Sequence, residues 1–555
     1  MLFDIRSLTI ASRLISFIVL VLFGVVSTLG SNEGSTPGQR APDTNYVVFL
    51  ADKDTNGVIE LYAYSLEERI VTKLNDSLVA GGNVTSFSIS PDGSLVAYVA
   101  DQEIDERFEL YVATPDGTTV TKVSNPNVII TSNVDDDPVW APDSSRIAYR
   151  SNESTRGIDV FVLRTVRPNG NNNVIVNPQG AGTSSVAQLS FTWSPDSSQI
   201  AYLSNQDDTN KIELFSSVAT TAIGNAKVNG LLPTNGNVTE YRWAPDSTRI
   251  AYRADQTADE VFELWTSAPS GGLNTPVSGP NASNVQELSF YWAPDGSRIA
   301  YIADETIEGD YNLYTVLPNG DGRLQVNTNA ITGGDVIGSP AWSPDSAQIA
   351  YVGDLNTDEA FELFTSLPSV ANNSTKVNEP LLGGEVITGT FRGAPPAWSP
   401  DSDGIAYIAQ QDSIGVDEVF VGDPFGGGSV KVSNNLTAAT TVSLGEHTEV
   451  WAPDGSRLMY QADQRILGTD DLYTTVPTNN NNVARITGNP VQPTGLKSFG
   501  KWAPDSSQIT YVSSQDSIDV DELYMVAPNG SGNQNISGPL ALQGNVLSDW
   551  FEWAP

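Results

Sequence analysis

The chain has 555 residues, with 28 Lys+Arg against 66 Asp+Glu, a formal net charge of −38 and a sequence pI near 4.1. A surface so short of cations argues against nucleic acid and anionic membranes as partners, and leaves cations, basic proteins or plain solubility. Cysteine is absent, which removes disulfides and thiolate chemistry.

Residues 1–30 read as an export signal or membrane anchor. Arg6 and Arg13 precede an apolar run from Leu14 to Val26, and the small residues Ser27, Thr28, Gly30 and Ser31 follow. The run is short for a membrane span, so a cleaved signal is the first reading and an uncleaved anchor over residues 14–29 the second. With no cysteine, lipoprotein attachment has no acceptor, and both readings place the rest of the chain outside the cytoplasm. Residues 31–39 form a Gly/Ser/Pro linker.

From residue 40 onward a unit of about fifty residues recurs. Its clearest copy is Trp193-Ser194-Pro195-Asp196-Ser197-Ser198-Gln199-Ile200-Ala201-Tyr202, with relatives at Trp140, Trp243, Trp292, Trp342, Trp398, Trp451 and Trp502. Leu189, Phe191 and Trp193 alternate with polar residues, which is strand periodicity. Ser, Pro and Asp then fill the first three positions of a type I turn, and the fourth is Gly in several copies (Gly93, Gly296, Gly455). Ile200-Ala201-Tyr202-Leu203 is apolar on both faces, as a strand between two sheets should be. After an acidic loop comes a third strand such as Phe262-Glu263-Leu264-Trp265. A short fourth follows, such as Lys376-Val377-Asn378, whose Lys suits an outer edge guarding against stray pairing. No helical periodicity appears outside the first thirty residues.

Four strands repeated radially predict an all-β fold, a β-propeller. The turns from Pro42 to Pro504 predict ten blades. The chain ends Asp549-Trp550-Phe551-Glu552-Trp553, a first strand with nothing after it, and begins its repeats at Pro42-Asp43, with that strand missing. The expectation is one ring over 40–555, closed by the C-terminal strand pairing beside Tyr46 to Leu50. Two five-bladed rings, about 40–290 and 291–555, or a chain cut short of its natural end, are the alternatives.

The Trp-Ser/Ala-Pro-Asp-Gly/Ser-x-x-Ile-Ala-Tyr unit resembles the WD40-like repeat of the TolB family, and also the propellers of prolyl oligopeptidase-type peptidases. The resemblance covers nearly everything after residue 40 and implies the propeller fold; propellers serve many functions. The TolB family has an α/β domain before its propeller and the peptidases add a hydrolase domain; neither pattern is seen here. Some pectin-fragment lyases also resemble this repeat, but they are expected to need several histidines.

His447 is the single histidine, placed in a predicted first strand, and no Gly-x-Ser-x-Gly elbow accompanies it. Histidine-built metal sites lack ligands, and no phosphate-cradling loop appears. Carboxylates cluster instead in the loops between second and third strands, so one face of the ring is expected to be negative. Within that set, Asp52, Asp54, Asn56 and Glu60, with Gly57 between, have the spacing to wrap calcium. Carboxylate pairs could also serve glycoside hydrolysis. Sequons at Asn83, Asn237, Asn281, Asn435 and Asn535 matter only in a glycosylating host. The reading is an exported, monomeric, non-catalytic scaffold that uses no cofactor unless calcium binds. Its partner is an envelope or extracellular protein, perhaps a basic one; a carbohydrate-active enzyme is the alternative.

Overall fold

The computed structural model describes residues 45–555 apart from 125–132, 136, 153–159, 178–184, 222–223, 280–284, 287–288, 306–308, 329–330, 332, 389–394, 446, 479–481 and 489–495. The segments read as signal and linker lie outside the described residues. The rest folds into ten antiparallel sheets arranged as a single ring, a ten-bladed propeller. In blade 4 the strands run Val186–Trp193, Gln199–Ser204, Glu213–Val218 and Ala226–Lys227 in spatial order, and the other blades repeat this meander. Blade 1 takes its innermost strand from the far end of the chain. Val546–Trp553 pairs antiparallel with Tyr46–Ala51, with Val47 opposite Trp553, Phe49 opposite Phe551 and Ala51 opposite Val546. The expected closure is present, in the expected place.

The core lies between blades. Ten clusters of buried apolar residues each join one blade to the next, from blades 1 and 2 round to blades 10 and 1. Two five-bladed rings would need blade 5 against blade 1; instead Ala251, Leu264 and Val277 of blade 5 pack on Phe290, Ile299 and Tyr301 of blade 6. The second and third strands are buried on both faces, which is why they read as apolar runs. Within each sheet a second-strand aromatic stacks on its cross-strand partner, as Tyr98 does on Tyr111 with centroids 5.4 Å apart and Tyr351 on Phe364 at 6.0 Å.

The tryptophans are core residues and also stitches. Each indole Nε1–H donates to a first-strand carbonyl of the preceding blade: Trp193 to Val139 (3.0 Å), Trp292 to Arg242 (3.1 Å), Trp398 to Ala341 (3.1 Å) and Trp553 to Lys501 (3.1 Å). An indole suits this place because it buries a large ring while its N–H finds an acceptor.

The Pro-Asp turn is a type I turn followed by a left-handed residue, the geometry of a short hairpin. Ser197 N–H donates to the Ser194 carbonyl at 2.9 Å, and Ser197 sits at φ 62°. The equivalent residues are Ser144, Ser247, Ser346, Ser402 and Ser506, or Gly93, Gly296 and Gly455. A serine there is strained, but its hydroxyl accepts the Asp N–H of the preceding blade: Asp143 N–H reaches Ser197 at 3.0 Å and Asp196 N–H reaches Ser247 at 3.0 Å. The turn motif therefore links blades as well as reversing the chain.

First strands are the irregular ones. Bulges interrupt the pairing between Val186 and Phe191 and between Ile337 and Ala341. In blade 8 the strand splits into Gly383–Ile387 and Ala397–Trp398. Here one expectation fails: His447 lies in a four-residue helical turn, His447–Val450, between strand Val442–Ser443 and the bridge from Trp451 to Leu458. The innermost strand has no sheet neighbour on its hub side, so inserted residues can coil there without breaking a ladder.

Candidate functional site: the acidic loop face

The loops between second and third strands share one face with the connections that lead from each blade to the next. Their first acidic residue holds the two together. Asp101, 2% exposed, accepts the N–H of Asn83 at 2.5 Å from the incoming connection and that of Glu106 at 3.0 Å from its own loop. Asp354 does the same with Asp335 (2.6 Å) and Glu359 (3.1 Å), and Asp463 with Thr441 and Gly468, both at 2.7 Å. Asp52 belongs to this set, accepting from Gly57 at 2.8 Å and from Asn545. These carboxylates cap backbone donors that burial would otherwise leave unpaired.

A second layer forms around the fourth-strand lysines. Lys73 sits between Asp54 (2.6 Å) and Glu60 (2.7 Å), and Lys227 between Asp207 (2.9 Å) and Glu213 (2.8 Å). Lys431 sits between Asp412 (2.8 Å) and Glu418 (3.1 Å), and Lys122 between Glu103 (3.0 Å) and Glu109. Burial works to lower the Lys73, Lys227 and Lys431 ammonium pKa, but the flanking carboxylates outweigh it and hold each above the usual lysine value. These lysines are thus internal counter-ions, where the sequence suggested guards on an open edge. The spacing was there to be read: acid, acid six residues on, lysine thirteen or fourteen further.

The four residues proposed for calcium divide among these roles. Asp54 and Glu60 converge on Lys73, Asp52 caps backbone N–H groups, and Asn56 is exposed. An ion between Asp54 and Glu60 would first have to displace the Lys73 ammonium. Carboxylate pairs that a glycosidase would use are, in blades 1, 2, 4 and 8, bridged by lysine in the same way.

What remains for solvent is the outer rank. Asp105, Glu106, Asp259, Glu260, Asp358, Glu359, Asp516 and Asp519 are exposed on these loops. Apolar tips stand among them: Ile104 is 46% exposed, Ile414 76% and Ile518 54%. The connections add Leu231 and Leu542, more than nine-tenths exposed. In the channel, Arg242 pairs with Glu240 at 2.8 Å and lies over the Tyr291 ring at 4.1 Å, so this cation is already engaged.

Residues 94–313, from blade 2 into blade 6, match the family model described as the TolB beta propeller domain. The repeat is TolB-type. No curated protein matches the chain. Among solved structures the chain is similar to a putative TolB from Agrobacterium tumefaciens, at 14% identity, over 50% of this chain and 87% of that one, with TM-score 0.27. It is similar to dipeptidyl peptidase 4 of Porphyromonas gingivalis at 10% identity, over 72% and 58% of the two chains, with TM-score 0.44. It also resembles oligogalacturonate lyase from Vibrio parahaemolyticus at 14% identity, over 58% and 86%, with TM-score 0.33. At these scores the likenesses carry no argument about what this TolB-type ring does.

Proposed function

We propose that the protein is an exported, monomeric, non-catalytic scaffold whose acidic loop face captures a basic partner protein of the cell envelope or exterior. The observation that supports this most is the division of labour among its carboxylates. The inner ones are consumed by backbone caps and lysines, while an outer rank stays exposed around isoleucine and leucine tips. Exposed charge of one sign steers a partner of the other, and apolar residues set within it supply contact area once the two meet. The partner this fits carries lysine or arginine next to apolar side chains. Export is supported by the Arg6 to Ser31 layout.

Crosslinking in envelope extracts, followed by identification of the captured proteins, tests the reading. A captured protein whose binding weakens steeply with salt, and is lost when Asp105, Asp259, Asp358 and Asp519 become Asn, is the expected result. Repeated capture of nothing, or binding indifferent to those four changes, counts against it. Turnover of a polysaccharide or glycoside panel, abolished by a single carboxylate substitution, would replace it with the enzyme reading.

A further inference from the structure

Blades 8 and 10 carry almost the same loop, Gln411-Asp412-Ser413-Ile414-Gly415-Val416-Asp417-Glu418 and Gln515-Asp516-Ser517-Ile518-Asp519-Val520-Asp521-Glu522. In blade 8 the two acids hold Lys431 between them. Thirteen residues after Glu522, where that lysine would stand, blade 10 has Asn535. Its amide donates to Glu522 Oε1 at 2.6 Å, and the Tyr524 phenol donates to Oε2 at 2.7 Å while lying within hydrogen-bond reach of Asp516. Those donors are neutral. Among the described residues, neither Asp516 nor Glu522 makes an ion pair, and Glu522 is 8% exposed.

Other blades that dispense with the lysine change the acids too. Blade 6 has a neutral pair, Gln325 Nε2 donating to Asn312 at 2.9 Å. Blade 9 sets one acid, Asp471, between Arg465 (2.9 Å) and Arg485 (3.5 Å). Blade 10 alone among these keeps both carboxylates and drops the cation. Two like charges with one of them desolvated are unfavourable unless a positive charge joins them. Four sibling blades show what the constellation holds, since each has an ammonium in that position.

We propose that blade 10 takes up an external cation between Asp516 and Glu522, in the position its siblings fill with their own lysine. Asp516 is exposed, so the position is reached from solvent. The shared chemistry is a compact positive charge ligated by carboxylate oxygens, supplied by a hard metal ion such as calcium or by an alkylammonium group. The inference rests on the comparison of blades and holds whether or not the face binds a partner protein.

The test is thermal unfolding of the full chain in calcium chloride and in methylammonium chloride, each against sodium chloride of equal ionic strength. Wild type should gain about 1–2 °C from at least one of them, the response identifying the source. Asn535→Lys, which installs the missing ammonium, should unfold above wild type in sodium chloride and lose the response. Asp516→Asn, at an exposed residue, should lose the response without the gain, and keeps the test open if Asn535→Lys does not fold. Equal shifts in wild type and both variants, or no shift in wild type, overturn the proposal.

Discussion

Trp243 offers the sharpest test of how the blades are held together. Its side chain is 1% exposed and packs with Leu203, Leu214 and Val228 of blade 4 and with Val238, Ile250 and Tyr252 of blade 5. A buried indole removes about 200 Å² from water, worth about 5 kcal/mol as an upper bound, and truncation to alanine in such sites costs about 3–5 kcal/mol. The bond from Nε1 to the Thr192 carbonyl is long, 3.3 Å, and adds about 0.5–1 kcal/mol. Trp243→Phe keeps most of the apolar area and loses that bond, so it should cost about 1–2 kcal/mol against 3–5 kcal/mol for Trp243→Ala. A ring of like units opens in parts before it unfolds as a whole, so the midpoint alone is a blunt readout. Hydrogen exchange resolves it: both variants should speed exchange of the Val238–Trp243 and Ile250–Ala254 amides more than those of blades 8 to 10. A denaturation midpoint unchanged in Trp243→Ala, or equal effects of Phe and Ala, would falsify the stitching role.

Other outcomes follow from the same geometry. Ser247, at φ 61°, accepts the Asp196 N–H at 3.0 Å, so Ser247→Ala keeps the strain, loses the bond and should destabilise by about 1 kcal/mol. Ser247→Gly loses the same bond but relieves the backbone and should be near neutral, a ranking that equilibrium denaturation of the three proteins checks. Lys73, Lys227 and Lys431 titrate above the ordinary lysine value in the folded chain, so the stability they give is full at neutral pH and is lost as pH rises through their raised pKa. Melting temperature scanned from pH 8 to 12 should fall on the alkaline side, and less so in Lys431→Met. At the other end, burial acts to raise the Asp196 carboxyl pKa, but bonds from Ser194 and Ser198 outweigh it and leave it below the usual carboxylate value. That contribution is present above the ordinary Asp pKa and lost as pH falls through the lowered one, so Asp196→Asn should flatten the acid limb of the same scan.

The architecture was legible because its signals are local and repeated. Pro-Asp turns mark the hairpins, apolar runs such as Ile200 to Leu203 mark strands between sheets, and Trp550 to Trp553 announces a strand in search of a sheet. His447 was misplaced because a helical turn of four residues leaves no periodicity to read, and its cause, freedom on the hub side of a first strand, is tertiary. The acidic loops were visible as composition, but their roles were not. Asp52 and Asp54 are two residues apart, yet one faces backbone N–H groups and the other a lysine on the fourth strand. That lysine reads alone as an edge residue; only the fold brings it onto Glu60, and only comparison among folded blades shows that blade 10 lacks it.

Everything above depends on the last strand closing the ring. With no native cysteine to compete, Val48→Cys and Glu552→Cys place two thiols on residues paired across the closing strands. Mild oxidation of the double variant, followed by peptide mass spectrometry, should find the 48–552 disulfide within single chains in high yield, since paired strand positions lie within disulfide reach. Free thiols, or a disulfide found only between chains, would contradict the closed ring.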